Sequence, residues 1–143
     1  MAAASRLVLD ASVALSWCFE DEASALGDAV LRHLERDAAI VPAIWPIEVA
    51  NGLRSAERRG RLDRPSVEAV SALLMALPIQ VEESSRLDEA LGRILPLALE
   101  TSLTAYDAAY VDLALRHGLP LATADDQLAR AAQAAGVTLV EVG

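Results

Sequence analysis

Thr104 to Asp126 reads TAYDAAYVDLALRHGLPLATADD, and it holds a helix, a stop, a strand and the start of a second helix. An apolar helix runs from Thr104 to His117-Gly118, a short apolar strand from Leu119 to Ala122, and Thr123-Ala124-Asp125-Asp126 follows. A helix that returns directly into a buried strand is half of a parallel-sheet unit. Acids mark both element ends. Asp107 lies in the first turn, in phase with Val111 and Ala114 at roughly 100° per residue, and so points toward the core. Asp112, about 140° further round, is expected to face water. Both end acids have ordinary explanations: Thr104-x-x-Asp107 forms a capping box, and Asp125 before Gln127-Leu128-Ala129 is an N-cap.

Their company changes the reading. The strand Leu7-Val8-Leu9 also ends in an acid, Asp10, followed by Ala11-Ser12. Carboxyl ends of parallel strands share one edge, where ligands bind, so Asp10 and Asp125 should converge there. Between them, Leu26, Val30 and Leu34 predict a helix from near Glu22 to near Asp37, and Ile40-Val41-Pro42 a buried strand. Pro46 suits the first position of a helix reaching about Arg59. A further helix spans Pro65 to Leu77, and Pro78 to Val81 is a third strand. Leu87, Leu91, Ile94 and Ala98 mark a helix that Pro96 should kink or split. Asp126 to Ala135 is helical, Gly136 stops it, and Val137 to Val142 reads as the last strand. The expected fold is α/β, a three-layer α/β/α sandwich with a mostly parallel central sheet.

With 143 residues, 54% of them hydrophobic and 23% charged, the chain fits a single domain over 1–143 with a real core. The one cysteine, Cys18, rules out an internal disulfide framework and agrees with a reducing, cytoplasmic setting. No run approaches the roughly 20 apolar residues of a membrane span, and the start lacks the pattern of a secretory signal. The net charge of −9 makes a broad cationic nucleic-acid surface unworkable and favours a metal-bridged or locally basic contact. All 12 basic residues are arginine, which excludes Schiff-base chemistry and a P-loop.

Glu48 is a first-turn glutamate, ordinarily explained by the helix dipole, yet it sits among Ile47, Val49 and Ala50 after a buried strand. Asn51, one turn on, is placed to hydrogen-bond it or a neighbour. Glu20-Asp21-Glu22 reads as a solvated helix start. Asp10, Glu48, Asp107 and Asp125 thus form a set at element ends. Crowded carboxylates repel unless a cation holds them, and oxygen donors without Cys or His select Mg²⁺ or Mn²⁺ over zinc. Such ions support in-line hydrolysis of a phosphodiester by an activated water. His33 on a polar face and His117 at a helix end are surface or C-cap residues, which disfavours histidine acid–base chemistry. Cys18 is buried filler, and Ser12 a supporting donor or helix cap rather than a nucleophile.

Leu7-Val8-Leu9-Asp10-Ala11-Ser12, Trp45-Pro46-Ile47-Glu48-Val49-Ala50-Asn51, Tyr106-Asp107-Ala108-Ala109-Tyr110 and Leu121-Ala122-Thr123-Ala124-Asp125 resemble, in order, the motifs of PIN-domain ribonucleases. More closely they resemble the VapC toxins of bacterial type II toxin–antitoxin pairs. The resemblance implies a Mg²⁺ or Mn²⁺ endoribonuclease acting on structured RNA, homodimerisation, and inhibition by a cognate VapB antitoxin. The family's acidic quartet maps onto Asp10, Glu48, Asp107 and Asp125, with Asp10, Asp107 and Asp125 as metal ligands. Its small hydroxyl residue falls at Ser12 and its threonine at Thr123; Asp126 is an extra acid beside the expected one.

Arg54, Arg58 and Arg61 are expected on one helical face, near Arg59 and Arg64, where they would hold phosphates flanking the cut. Trp45, Tyr106 and Tyr110 lie at core spacing and are expected to pack. Two other readings stay open: a protein-binding module of this fold whose acids are only caps, and a DNA-directed nuclease, since two-metal hydrolysis makes no use of the 2′-hydroxyl.

Overall fold

The three-residue strands β1 (Leu7–Leu9) and β2 (Ala39–Val41) are buried along their whole length, as apolar runs without alternation require when helices cover both sheet faces. A computed structural model describes residues 5–83 and 86–142 of the chain. With β3 (Ile79–Val81) and β4 (Leu121–Ala122), they form a four-stranded, wholly parallel sheet in the order β3-β2-β1-β4. Helices flank it in the expected α/β/α arrangement.

Helix α1 (Ala11–Ser16) follows β1 at once, then a 3₁₀ turn (Glu20–Glu22) and α2 (Ala25–Leu34). The helix expected from Glu22 therefore starts later: Ser24 caps it, its hydroxyl accepting from the Gly27 N–H. Helix α3 (Trp45–Arg58) carries Pro46 in its first turn and α4 (Arg64–Met75) is capped by Asp63. Between α5 (Leu87–Glu89) and α6 (Leu95–Thr101) the chain makes a π-helical turn, Ala90–Ile94. Pro96 accounts for it, since its ring excludes the carbonyl four residues back and it has no N–H to give. Helix α7 (Ala105–His117) ends at Gly118, whose φ of +64° suits glycine, and α8 (Asp126–Ala134) follows β4.

Two expectations are corrected. Val137 to Val142 is not a strand but a single parallel bridge, Leu121 to Leu139, because β4 offers only two residues before Thr123 turns away. Asp112 does not face water: it is 3% exposed, because the π turn and α6 pack over the outer side of α7. Two guanidiniums compensate its burial, Arg93 Nε at 2.7 Å and Arg116 Nε at 2.8 Å.

The core runs through Val8, Leu9, Val13, Val30, Val41, Val111, Leu113, Leu121 and Leu128, which join the sheet to the helices on it. Helix α1 meets α3 closely at Gly52, where an added Cβ would fall 2.6 Å from a Leu15 methyl. That contact fixes the start of α3, and with it Glu48, relative to the end of β1. Among the described residues no helix is long and apolar enough to cross a membrane.

Candidate functional site

Every strand-end acid falls on the carboxyl edge of the sheet. Asp10 follows β1, Glu48 rides the first turn of α3 after β2, and Asp125 follows β4. Helix α7 runs back toward β4, so its first turn brings Asp107 to the same edge. The four feel one another: Asp10 and Asp107 push the Glu48 pKa up, and Asp10 and Asp125 do the same to Asp107. In both cases burial is the larger cause.

The acids are held one oxygen at a time. Asp10 is buried, and its Oδ2 accepts from the Ser12 hydroxyl at 2.6 Å and the Thr123 hydroxyl at 2.7 Å. Those hydroxyls in turn accept from the Ala124 N–H at 3.1 Å and the Asp125 N–H at 3.0 Å. Backbone donors from the β4 loop thereby fix the Asp10 carboxylate through two hydroxyls. Ser12 spends its one hydroxyl proton on that carboxylate. Glu48 Oε1 accepts from the Tyr110 hydroxyl at 2.5 Å, a short charge-assisted bond that opposes the rise in its pKa. Asp125 Oδ1 accepts from the N–H groups of Gln127 and Leu128, so it is the N-cap of α8 as well. Among the described residues the second oxygen of each of these acids has no hydrogen-bond partner, and neither Asp107 oxygen has one.

No arginine fills the gap between them. Every ion pair among the described residues involves other acids: Asp21, Glu22, Glu57, Glu82, Asp88 and Asp112. The donor set is oxygen alone, with free oxygens and charge left uncompensated, which fits a hard divalent cation. As the side chains lie, no three of His, Cys, Asp or Glu among the described residues stand close enough together to hold a metal ion by themselves. An ion such as Mg²⁺ keeps several waters and needs only one or two carboxylates, so an open edge suits it.

Several expected neighbours sit elsewhere. Asn51 makes no bond to Glu48; with Arg54, Ser55, Arg58 and Arg59 it lines a cleft of about 380 Å³ along α3. Arg61 leaves the Arg54–Arg58 face, because α3 ends at Arg58 and Gly60, at φ +75°, turns the chain. It pairs instead with Asp21 and Glu22, both at 3.0 Å, and lies 3.9 Å from the Phe19 ring centroid. Glu20, Asp21 and Glu22 are exposed as expected, and the latter two are its partners. Asp126 is exposed in the first turn of α8, and Asp125 rather than Asp126 acts on Asp107. Trp45 packs as expected, whereas Tyr106 is 61% exposed. Tyr110 packs and also holds Glu48, a role that helical phase alone did not reveal.

A parallel-sheet protein with four acids gathered at its carboxyl edge and no histidine or cysteine among them is the class these features define. The PIN domain family model matches residues 7–134, and the chain belongs to that family. A crystal structure of PAE2754 from Pyrobaculum aerophilum is similar, with TM-score 0.63 and 28% identity over 90% of this chain and 87% of that one. No curated protein matches the chain. PIN domains are generally nucleases and usually use divalent metals.

Proposed function

We propose that the chain is a Mg²⁺- or Mn²⁺-dependent endoribonuclease, and the toxin of a VapBC-type toxin–antitoxin pair acting on structured RNA in the cytoplasm. The observation that carries the nuclease reading is the edge itself: four carboxylates, three tethered through one oxygen, with no cation of the chain between them. Asp10, Asp107 and Asp125 would hold the ion. When bound, it supplies a lowered pKa for an attacking water and charge stabilisation for the leaving oxygen. Glu48, its Oε1 fixed by Tyr110, presents Oε2 as acceptor for the proton of that water. Water oxygen then bonds to phosphorus, the bridging P–O bond breaks, and the departing oxygen takes up a proton. Arg54 and Arg58 on α3, with Arg59 at its end, line one cleft and bind phosphates beside the cut. The toxin assignment, the VapB partner and homodimerisation rest on the four sequence motifs and their likeness to VapC.

Asp125 serving as a cap is what a purely protein-binding PIN-like module would require. Glu48 and Asp107 accept no capping bond from a backbone N–H, and nothing in such a module would keep their charges together. Cleavage of a structured RNA with added Mg²⁺ or Mn²⁺, beside the DNA strand of the same sequence, tests the proposal. Asp10→Asn and Asp107→Asn should abolish cleavage with the circular dichroism spectrum unchanged. Full activity in either variant refutes the assignment, and equal cleavage of both strands favours the DNA-directed alternative.

A further inference from the structure

At the opposite, amino-terminal edge of the sheet lies a second cleft, of about 530 Å³, walled by the start of β1, by α2 and by the segment after α8. Arg6, Arg32, His33 and Arg36 line it, together with Thr138 and one carboxylate, Glu141. Arg54, Arg61, Arg86, Arg93 and Arg116 pair with acids. Among the described residues Arg6, Arg32 and Arg36 form no ion pair, as is true also of Arg58, Arg59, Arg64 and Arg130, but these three reach one cleft from different elements. Arg6 is steadied by a 2.9 Å bond from Nη1 to Gln80 Oε1, which leaves its other donors open.

The end of α2 favours cations through its dipole, and that explains Arg32 and His33 without any ligand. It does not explain Arg6, which arrives from a different element. His33 Nε2 is itself buried, so His33 contributes to the wall of the cleft and the open donors are those of the arginines.

We propose that this cleft binds a phosphate-class oxyanion, carried by a free mononucleotide or by a polynucleotide strand. Guanidinium forks from two elements match the oxygens of a phosphate, which can take two N–H bonds from one arginine. The site stands apart from the acidic edge and does not rest on the nuclease reading.

Calorimetric titration of the full chain at physiological chloride, first with inorganic phosphate, then with adenosine 5′-monophosphate against adenosine, tests it. One saturable phosphate site is expected, retained in Asp10→Asn and weakened about tenfold by Arg32→Gln or Arg36→Gln. Tighter binding of the mononucleotide than of phosphate identifies the free nucleotide as the source. Still tighter binding of a 5′-phosphorylated oligoribonucleotide, measured in Asp10→Asn, identifies the strand. Absence of saturable binding, equal competition by chloride, or indifference to both substitutions overturns the proposal. Should a variant fail to fold, amide shifts of Arg32, Arg36 and Thr138 on adding phosphate to the unmodified chain decide it, and their constancy refutes the site.

Discussion

Glu48 and Asp107 both titrate above the ordinary carboxylate range, because folding buries them and sets them beside other acids. In the window between the ordinary and the raised value, the folded chain holds more protons than the unfolded one. The penalty on the metal-free fold is therefore complete above the raised value and is relieved as pH falls through it. Asp107→Asn should accordingly raise the melting temperature of metal-free protein at neutral pH, by about 2–4 °C for each kcal/mol relieved, while it removes activity. The gain should vanish below the ordinary carboxylate range; a lower melting temperature at neutral pH would contradict this electrostatic account. Tyr110→Phe takes away the one hydrogen bond that holds the Glu48 pKa down. Activity should fall by about tenfold and the acid limb of the kcat/KM profile should move to higher pH, whereas a limb that stays put would make Tyr110 mere packing. The acids were legible in the chain because strand ends and helical phase predict position. The hydroxyl of Tyr110 was not, since its partner lies 62 residues away and periodicity reports only which way a side chain faces.

Among the elements, long amphipathic helices announced themselves and short or covered ones did not. Helix α1 has six residues, too few for a period, and it begins directly at the end of β1. Helix α7 misled in the other direction: its outward face is roofed by the π turn and α6, so Asp112 is buried where phase predicted water. Arg93, from the π turn, and Arg116, one turn on in α7, meet that carboxylate, and Arg116 also grips Glu82 at 2.6 Å. The network ties the helix that delivers Asp107 and Tyr110 to the segment after β3. Removing one member of a buried pair typically costs about 3–5 kcal/mol, and the partly exposed arginines here lower that to roughly 2–3 kcal/mol for Asp112→Ala. Urea unfolding measures it, and a loss below about 0.5 kcal/mol, the level of an ordinary surface change, would show the network to be ornamental.

The net charge of −9 poses the largest difficulty for a chain proposed to bind RNA, because the general field repels a polyanion. Its resolution is local. Arg58 and Arg59 line the cleft along α3 and make no ion pair among the described residues, whereas Arg61 is neutralised by Asp21 and Glu22. Few phosphate contacts release few counterions, so RNA affinity should decline only gently with salt. Each contact on single-stranded RNA contributes about 0.7 to the slope of log K against log salt. In the Asp10→Asn background, which leaves the RNA uncut, Arg58→Gln with Arg59→Gln should flatten that slope by about 1.4. Arg61→Gln should leave it unchanged, since that guanidinium is already paired, and should instead loosen the 3₁₀ turn at Glu20–Glu22. A slope altered by Arg61→Gln but not by the double substitution would move the RNA path off α3, toward the face where α1 runs into α2.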